Sequence, residues 1–335
     1  MTTRIAINGF GRIGRDFLRA ATDSVENNLE IVAVNDITTA EALANLLKYD
    51  STYGVWSREV TATKDTISVD GHEIRTFAER DPARLPWRDL RVDIVIESTG
   101  KFRTRDAAAT HLDAGAKKVI ITAPGKNVDA TVVLGVNEDT YDPAHHHVVS
   151  NASCTTNCLA PMISVLHETF GVRRGLMTTI HSYTGDQNLL DGPHKDPRRA
   201  RSAAVNMIPT STGAAKAVGE VLPELAGKLR GIAVRVPVEN GSLTDVTVEL
   251  STEATAEQVN RAFAEAADGH LKPYLRYTEA PIVSRDIIGD PSSCILDASL
   301  TIADGHLVKV FGWYDNEWGY ANRTLDLANL MARTL

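Results

Sequence analysis

Cysteine is scarce in this chain: its 335 residues hold three, Cys154, Cys158 and Cys294. Three thiols cannot build the disulfide framework that staples small secreted domains. Cys154 and Cys158 stand four apart, without the two-residue gap of a zinc knuckle or a thioredoxin-type pair, and fall on one helical face. Long apolar runs are missing as well. No stretch reaches the ~18 to 20 residues of a membrane span, and Met1-Thr2-Thr3-Arg4-Ile5 lacks a signal-type hydrophobic region, so the expectation is a cytoplasmic protein without a membrane partner. A basic excess is absent too. With 35 Lys and Arg against 43 Asp and Glu, the net charge of -8 argues against nucleic acid as a general partner. Arg198-Arg199-Ala200-Arg201, with Lys195 nearby, is the exception, and reads either as a solvated loop or as a site for small phosphates. Internal repeats and low-complexity stretches are lacking.

What is there is an ordinary globular composition, 43% hydrophobic and 23% charged, in a chain too long for one core and therefore divided into two domains. Ile5-Ala6-Ile7, Ile31 to Val34, Asp93 to Ile96, Lys118 to Ile121 and Thr131 to Leu134 are short continuous apolar runs, the signature of strands buried on both faces of a parallel sheet. Thr61 to Arg75 alternates instead, with a turn at Asp70-Gly71, and reads as an antiparallel insertion. After about residue 151 the character changes. A helix from Cys154 to roughly Phe170 carries Pro161, expected to bend it or to sit where a lost hydrogen bond is tolerated. Alternating strands follow at 177–183, 231–238, 243–250 and 294–310, so the second domain is expected to be α+β with a mostly antiparallel sheet. Thr255 and Gln258 form a capping-box pattern, and Leu325, Ala328, Met331 and Leu335 make one stripe of a C-terminal helix.

Two stretches carry chemistry. Gly9-x-Gly11-x-x-Gly14 follows a strand, opens a helix and is answered by Asp36 at the end of the next strand. That arrangement lets a pyrophosphate approach the helix N-terminus while the carboxylate takes the adenosine ribose hydroxyls, as in Rossmann-type dinucleotide-binding folds. An acidic Asp36 repels a 2′-phosphate, which favours NAD over NADP. The other stretch is Ser150 to Cys158. Cys154 stands among hydroxyls at a helix start, where aligned amides and a nearby imidazolium lower a thiol pKa. His181 ends an alternating strand and is a candidate to take the thiol proton. Thr210-Ser211-Thr212-Gly213 opens another helix; with Arg199 and Arg235 it suits a phosphorylated substrate or inorganic phosphate. Consecutive His145, His146 and His147 point to opposite faces of a strand and do not converge on a metal.

Taken together these residues resemble phosphorylating glyceraldehyde-3-phosphate dehydrogenase of the glycolytic type, nearly end to end. The resemblance is carried by Asn8 to Arg15, Val34-Asn35-Asp36, Glu79 to Pro82, Glu97-Ser98-Thr99-Gly100, Ile121 to Pro124, Ser150 to Cys158 and Trp313 to Glu317. It implies an NAD-binding domain over 1–151, onto which a C-terminal helix at 316–335 packs back, and a catalytic domain over 152–315. It implies Cys154 as nucleophile and His181 as base. Gly9, Phe10, Gly11, Arg12, Ile13, Asp36, Arg80, Thr99, Thr122 and Asn316 fall where the family holds NAD. Ser153, Thr155, Thr184, Arg199, Thr212, Gly213 and Arg235 fall where it holds glyceraldehyde 3-phosphate and the attacking inorganic phosphate. The family is usually a homotetramer. Gly185 and Gly192, in the loop at about 182–204 that follows His181, depart from its commonest form. Erythrose-4-phosphate dehydrogenase, or a cysteine acyltransferase on a nucleotide-binding scaffold, are the competing expectations.

Overall fold

The computed structural model describes residues 2–24 and 28–335, which form two compact units. The first comprises Met1–Val132, Asp139–Ala152 and Ala321–Leu335; the second comprises Val133–Glu138 and Ser153–Tyr320.

The first unit is built on a nine-stranded sheet. In spatial order its strands are Ala130–Thr131, Val148–Ser150, Lys118–Ile121, Ile94–Glu97, Thr3–Asn8, Leu29–Asn35, His72–Phe77, Thr66–Val69 and Val60–Ala62. The first seven run parallel, and the last two fold back antiparallel through the turn in which Asp70 and Gly71 both take positive φ. The alternating segment is thus an insertion only in part, because His72–Phe77 pairs in parallel with Leu29–Asn35. The run at 131–134 contributes a shorter strand than expected, ending at Thr131. Ala6, Val32, Val95, Val119 and Trp87 sit in one buried apolar cluster of this unit. The C-terminal segment 321–335 belongs here, and Asn151 Nδ2 donates to Thr324 Oγ1 at 3.0 Å. Ala321, Leu325, Ala328 and Met331 are buried, but Leu335 lies beyond the helix Trp318–Ala332 and is exposed, so the stripe ends one turn sooner than expected.

The second unit has an eight-stranded sheet in which five of the seven pairings are antiparallel. Val172–Ser182 and Ser242–Leu250 are its long central strands, and the tract at 294–310 divides into Cys294–Asp297, Ile302–Asp304 and Leu307–Tyr314. Helix Cys154–Phe170 is buried at every position from Thr155 to Leu166. A helix apolar all round belongs inside a core, and packing there carries Pro161 without breaking the helix. The helix Ala256–Asp268 opens with the capping box of Thr255 and Gln258.

Candidate active site

In the first unit the chemistry gathers beyond the carboxyl ends of adjacent parallel strands, where open α/β sheets bind ligands. A cleft of about 250 Å³ is lined there by Gly9, Gly11, Asp36, Arg80, Ser98, Thr99 and neighbours. Close approach explains two of the glycines. Gly9 has φ +92°, and a Cβ on it would lie 2.6 Å from the Thr99 amide nitrogen; a Cβ on Gly14 would run into the Gly9 carbonyl. Gly11 is the N-cap of helix Arg12–Asp23, brings no capping side chain, and has open space where a Cβ would stand. The capping role is left to an anion, and a dinucleotide pyrophosphate fits it. Asp36 accepts from the Phe10 amide at 2.7 Å on one oxygen and from the Ile37 amide at 2.6 Å on the other. Its carboxylate is thereby aimed, with lone pairs left for ribose hydroxyls. Arg12 pairs with Asp50 and lies over the Tyr53 ring, Ile13 is half-buried in the same first turn, and Thr122 donates through both its amide and its hydroxyl to the Glu97 carbonyl.

In the second unit Ser153 caps the helix that Cys154 begins, its hydroxyl accepting from the Thr156 amide at 3.0 Å. The preceding Ala152 is fully buried with φ +54°, a left-handed conformation that a non-glycine residue adopts only where its surroundings enforce it. It sets the entry of the chain into the cysteine turn. Cys154 Sγ lies 3.5 Å from His181 Nε2. On the other side of the ring Nδ1 is 2.7 Å from the Ser182 carbonyl, an acceptor only; in the tautomer that makes this bond Nδ1 carries the proton and Nε2 offers its lone pair to the thiol. Arg235 Nη1 donates to the same carbonyl at 3.0 Å and lies 2.8 Å from Nδ1.

Burial pushes the Cys154 thiol up, while the positive charge of Arg235 and the bonds from Thr155 pull it the other way. Burial and then Arg235 push the His181 imidazole down to about 3. The pair therefore rests as thiol and neutral imidazole. The expectation of a lowered thiol is not met in this state, because removal from water outweighs the favourable charges. Nε2 nevertheless stands within reach of the thiol proton, the geometric requirement for a base.

Around this pair stand the proposed anion ligands. Arg199 donates to Thr210 Oγ1 at 2.9 Å and to Asp186 Oδ2 at 2.6 Å, and Asp186 is also held by the Thr184 hydroxyl. Burial acts to raise Asp186, but the Thr184 bond, Arg235 and Arg199 hold it below the usual carboxylate range. Arg235 Nε is buried and has no hydrogen-bond partner among the described residues. Thr212 accepts from the Ala214 amide, and Gly213 is the N-cap of helix Ala214–Val221. Thr155 turns its hydroxyl to Tyr314 Oη at 2.8 Å, and Thr179 holds the same phenol at 2.8 Å. Tyr314 in turn sets its ring edge against His181, with centroids 5.9 Å apart at 75°. Sequence reasoning gave Tyr314 and Asp186 no role; the segment Trp313 to Glu317 that carried the resemblance contained the tyrosine. Asn316 belongs to this unit, and its Oδ1 accepts from Ser182 Oγ, Ser242 Oγ and the Gly241 amide, which fixes the amide with its Nδ2 end unused by those bonds.

The three histidines go separate ways. His145 pairs with Asp142, His146 Nδ1 accepts from the Asp142 amide, and His147 Nδ1 faces Lys118.

Residues 3–105 match the family model described as the glyceraldehyde 3-phosphate dehydrogenase NAD binding domain, and residues 153–316 the one described as its C-terminal domain. The chain is 59% identical to glyceraldehyde-3-phosphate dehydrogenase 2 of Streptomyces avermitilis across 100% of both chains. It is 59% identical to glyceraldehyde-3-phosphate dehydrogenase 1 of Bacillus cereus over 98% of both, and 58% identical to the Geobacillus stearothermophilus enzyme over 99% of both.

Proposed function

The chain belongs to the glyceraldehyde-3-phosphate dehydrogenase family, and on that footing we propose that it converts D-glyceraldehyde 3-phosphate, NAD and inorganic phosphate to 1,3-bisphosphoglycerate and NADH in glycolysis and gluconeogenesis. The observation that carries this reading is the 3.5 Å approach of Cys154 Sγ to an imidazole nitrogen whose lone pair is free to receive its proton.

Cys154 passes its proton to His181 Nε2 as sulfur bonds to carbon 1 of the aldehyde, giving a thiohemiacetal. The Cys154 amide steadies the oxygen while His181 hands it the thiol proton, and His181, neutral again, takes that hydroxyl proton back as carbon 1 gives up its hydride and the carbonyl of the thioester forms. NAD, when bound, accepts the hydride that carbon 1 gives up. Inorganic phosphate next attacks the thioester, the carbon–sulfur bond breaks, and the acyl phosphate leaves as His181 returns its proton to the Cys154 sulfur. Arg199, Arg235, Thr184, Thr212, Gly213, Ser153 and Thr155 are the residues we assign to the two phosphate groups. Gly9, Phe10, Gly11, Arg12, Ile13, Asp36, Arg80, Thr99, Thr122 and Asn316 are those we assign to NAD. Residues 1–151 with 316–335 serve the cofactor in this reading, and 152–315 the chemistry.

We propose a homotetramer. Leu176 and Leu307, 69% and 52% exposed, flank a groove of about 660 Å³ on the sheet of the second unit, and Val205 and Met207 are exposed as well. Side chains of this size left in water favour association. A cytoplasmic location is consistent with the absence, among the described residues, of any helix long and apolar enough to cross a membrane.

The test mixes protein, NAD, glyceraldehyde 3-phosphate and phosphate and follows NADH absorbance. Phosphate-dependent NADH formation that iodoacetate abolishes is expected. Its absence, or faster turnover of erythrose 4-phosphate, overturns the assignment. Light scattering on the eluting protein gives the subunit number.

A further inference from the structure

The nucleotide cleft rests on buried polar side chains that the reaction does not call for. Strands Leu29–Asn35, Thr3–Asn8 and Ile94–Glu97 end side by side on Asn35, Asn8 and Glu97, all three at 4% exposure or less. Asn35 Nδ2 donates to Asn8 Oδ1 at 2.7 Å, and Asn8 Nδ2 donates to Glu97 Oε2 at 2.5 Å. His111, fully buried on helix Arg105–Asp113, places Nε2 3.1 Å from the same Glu97 oxygen.

Its tautomer is legible. Trp87 Nε1 is a donor only and lies 2.9 Å from His111 Nδ1, so Nδ1 accepts and Nε2 carries the proton toward Glu97. The 3.3 Å approach of Asn8 Nδ2 to His111 Nε2 is then two donors converging on one carboxylate oxygen. The other oxygen, Oε1, takes both the amide and the hydroxyl of Thr99. Thr99 lines the cleft, and so does Phe102, whose ring meets His111 edge-on with centroids 6.3 Å apart at 73°. One imidazole thus braces two parts of the cleft wall, Thr99 through Glu97 and Phe102 directly.

Polar groups placed in an apolar interior are expensive unless every one is satisfied, and a satisfied network holds a single arrangement. We propose that His111 is a positioning residue for the bound dinucleotide: with its tautomer locked by Trp87, it holds Thr99 and Phe102 where the adenosine half of NAD meets them. The proposal rests on the NAD reading above and adds to it the group that keeps the cleft preformed.

Calorimetric titration of NAD and of ADP-ribose into the purified protein tests it, with wild type, His111→Phe, His111→Gln and Trp87→Phe compared. Loss of the donor in His111→Phe raises both dissociation constants about tenfold, the size of effect expected when a buried carboxylate loses one partner. His111→Gln keeps an N–H for Glu97 and recovers most of that loss. Trp87→Phe removes only the lock and weakens binding in the same direction. Alkylation of Cys154 by iodoacetamide without NAD is unchanged in all of them. Variants that melt at lower temperature in the absence of NAD yet bind both ligands like wild type overturn the positioning role. If His111→Phe does not fold, equal affinity in the other two variants overturns it just as well. A wild-type protein that binds neither ligand removes the NAD reading itself, an outcome distinct from equal affinities.

Discussion

The sulfur of Cys154 lies 3.5 Å from Nε2 of His181, and the opposite nitrogen of that ring is committed to the Ser182 carbonyl. Proton acceptance at the sulfur side therefore needs no tautomer change. His181→Asn is expected to lower kcat roughly 10²- to 10⁴-fold, the usual contribution of a positioned base, while calorimetry finds NAD affinity unaltered. Cys154→Ser abolishes both NADH formation and iodoacetate incorporation.

Arg235 acts on both members of the pair in one sense. Its charge favours a thiolate at Cys154 and disfavours an imidazolium at His181, lowering both groups. Arg235→Gln is expected to move the midpoint of the alkylation rate against pH upward and to raise the His181 pKa, read from the carbon-bound ring protons by NMR. A midpoint that stays put or falls contradicts the assignment.

The low His181 value carries a stability consequence. The imidazole titrates near 6.5 in the unfolded chain and near 3 when folded, so acid favours unfolding. The stabilisation is complete above pH 6.5 and is lost as pH falls toward 3. Between pH 7 and pH 5 the protein loses on the order of 2 kcal/mol that His181→Gln does not lose; urea unfolding of the two at both pH values measures the difference.

Gly14→Ala sets a methyl group against the Gly9 carbonyl, a backbone group that does not give way easily. A loss of about 1–3 kcal/mol in the first unit is expected, together with weakened NAD binding. Denaturant titration and calorimetry report the two effects separately.

Thr255 accepts from the Gln258 amide at 3.3 Å, and Gln258 returns the bond to the Thr255 amide at 2.8 Å. Thr255→Ala is expected to cost about 1 kcal/mol in urea unfolding without changing turnover.

What could be read from residue order was what is local in space as well. The glycine turn, its answering Asp36 and the cysteine at a helix start are each set by a few neighbours, and each stands where spacing put it. Pairings between distant segments were not legible. Nothing in the alternation of His72–Phe77 reveals that it joins the sheet in parallel beside Leu29–Asn35, since either register buries a similar pattern. The bonds joining Trp87, His111 and Glu97 span residues far apart in the chain, and a histidine amid Ala107 to Leu112 reads as an ordinary helix position. The thiol escaped for another reason: a helix terminus is visible in sequence, but the balance between lost hydration and nearby charge at the sulfur is not.

Residues 321–335 belong to the same compact unit as residues 1–132, with nearly the whole of the other unit intervening along the chain. On the ribosome the strands of the nucleotide-binding sheet emerge early, yet Ala321, Leu325, Ala328 and Met331, buried in the finished protein, join that unit only after the catalytic half has been translated. The amino-terminal unit thus completes its fold with the last residues of the chain to be synthesised.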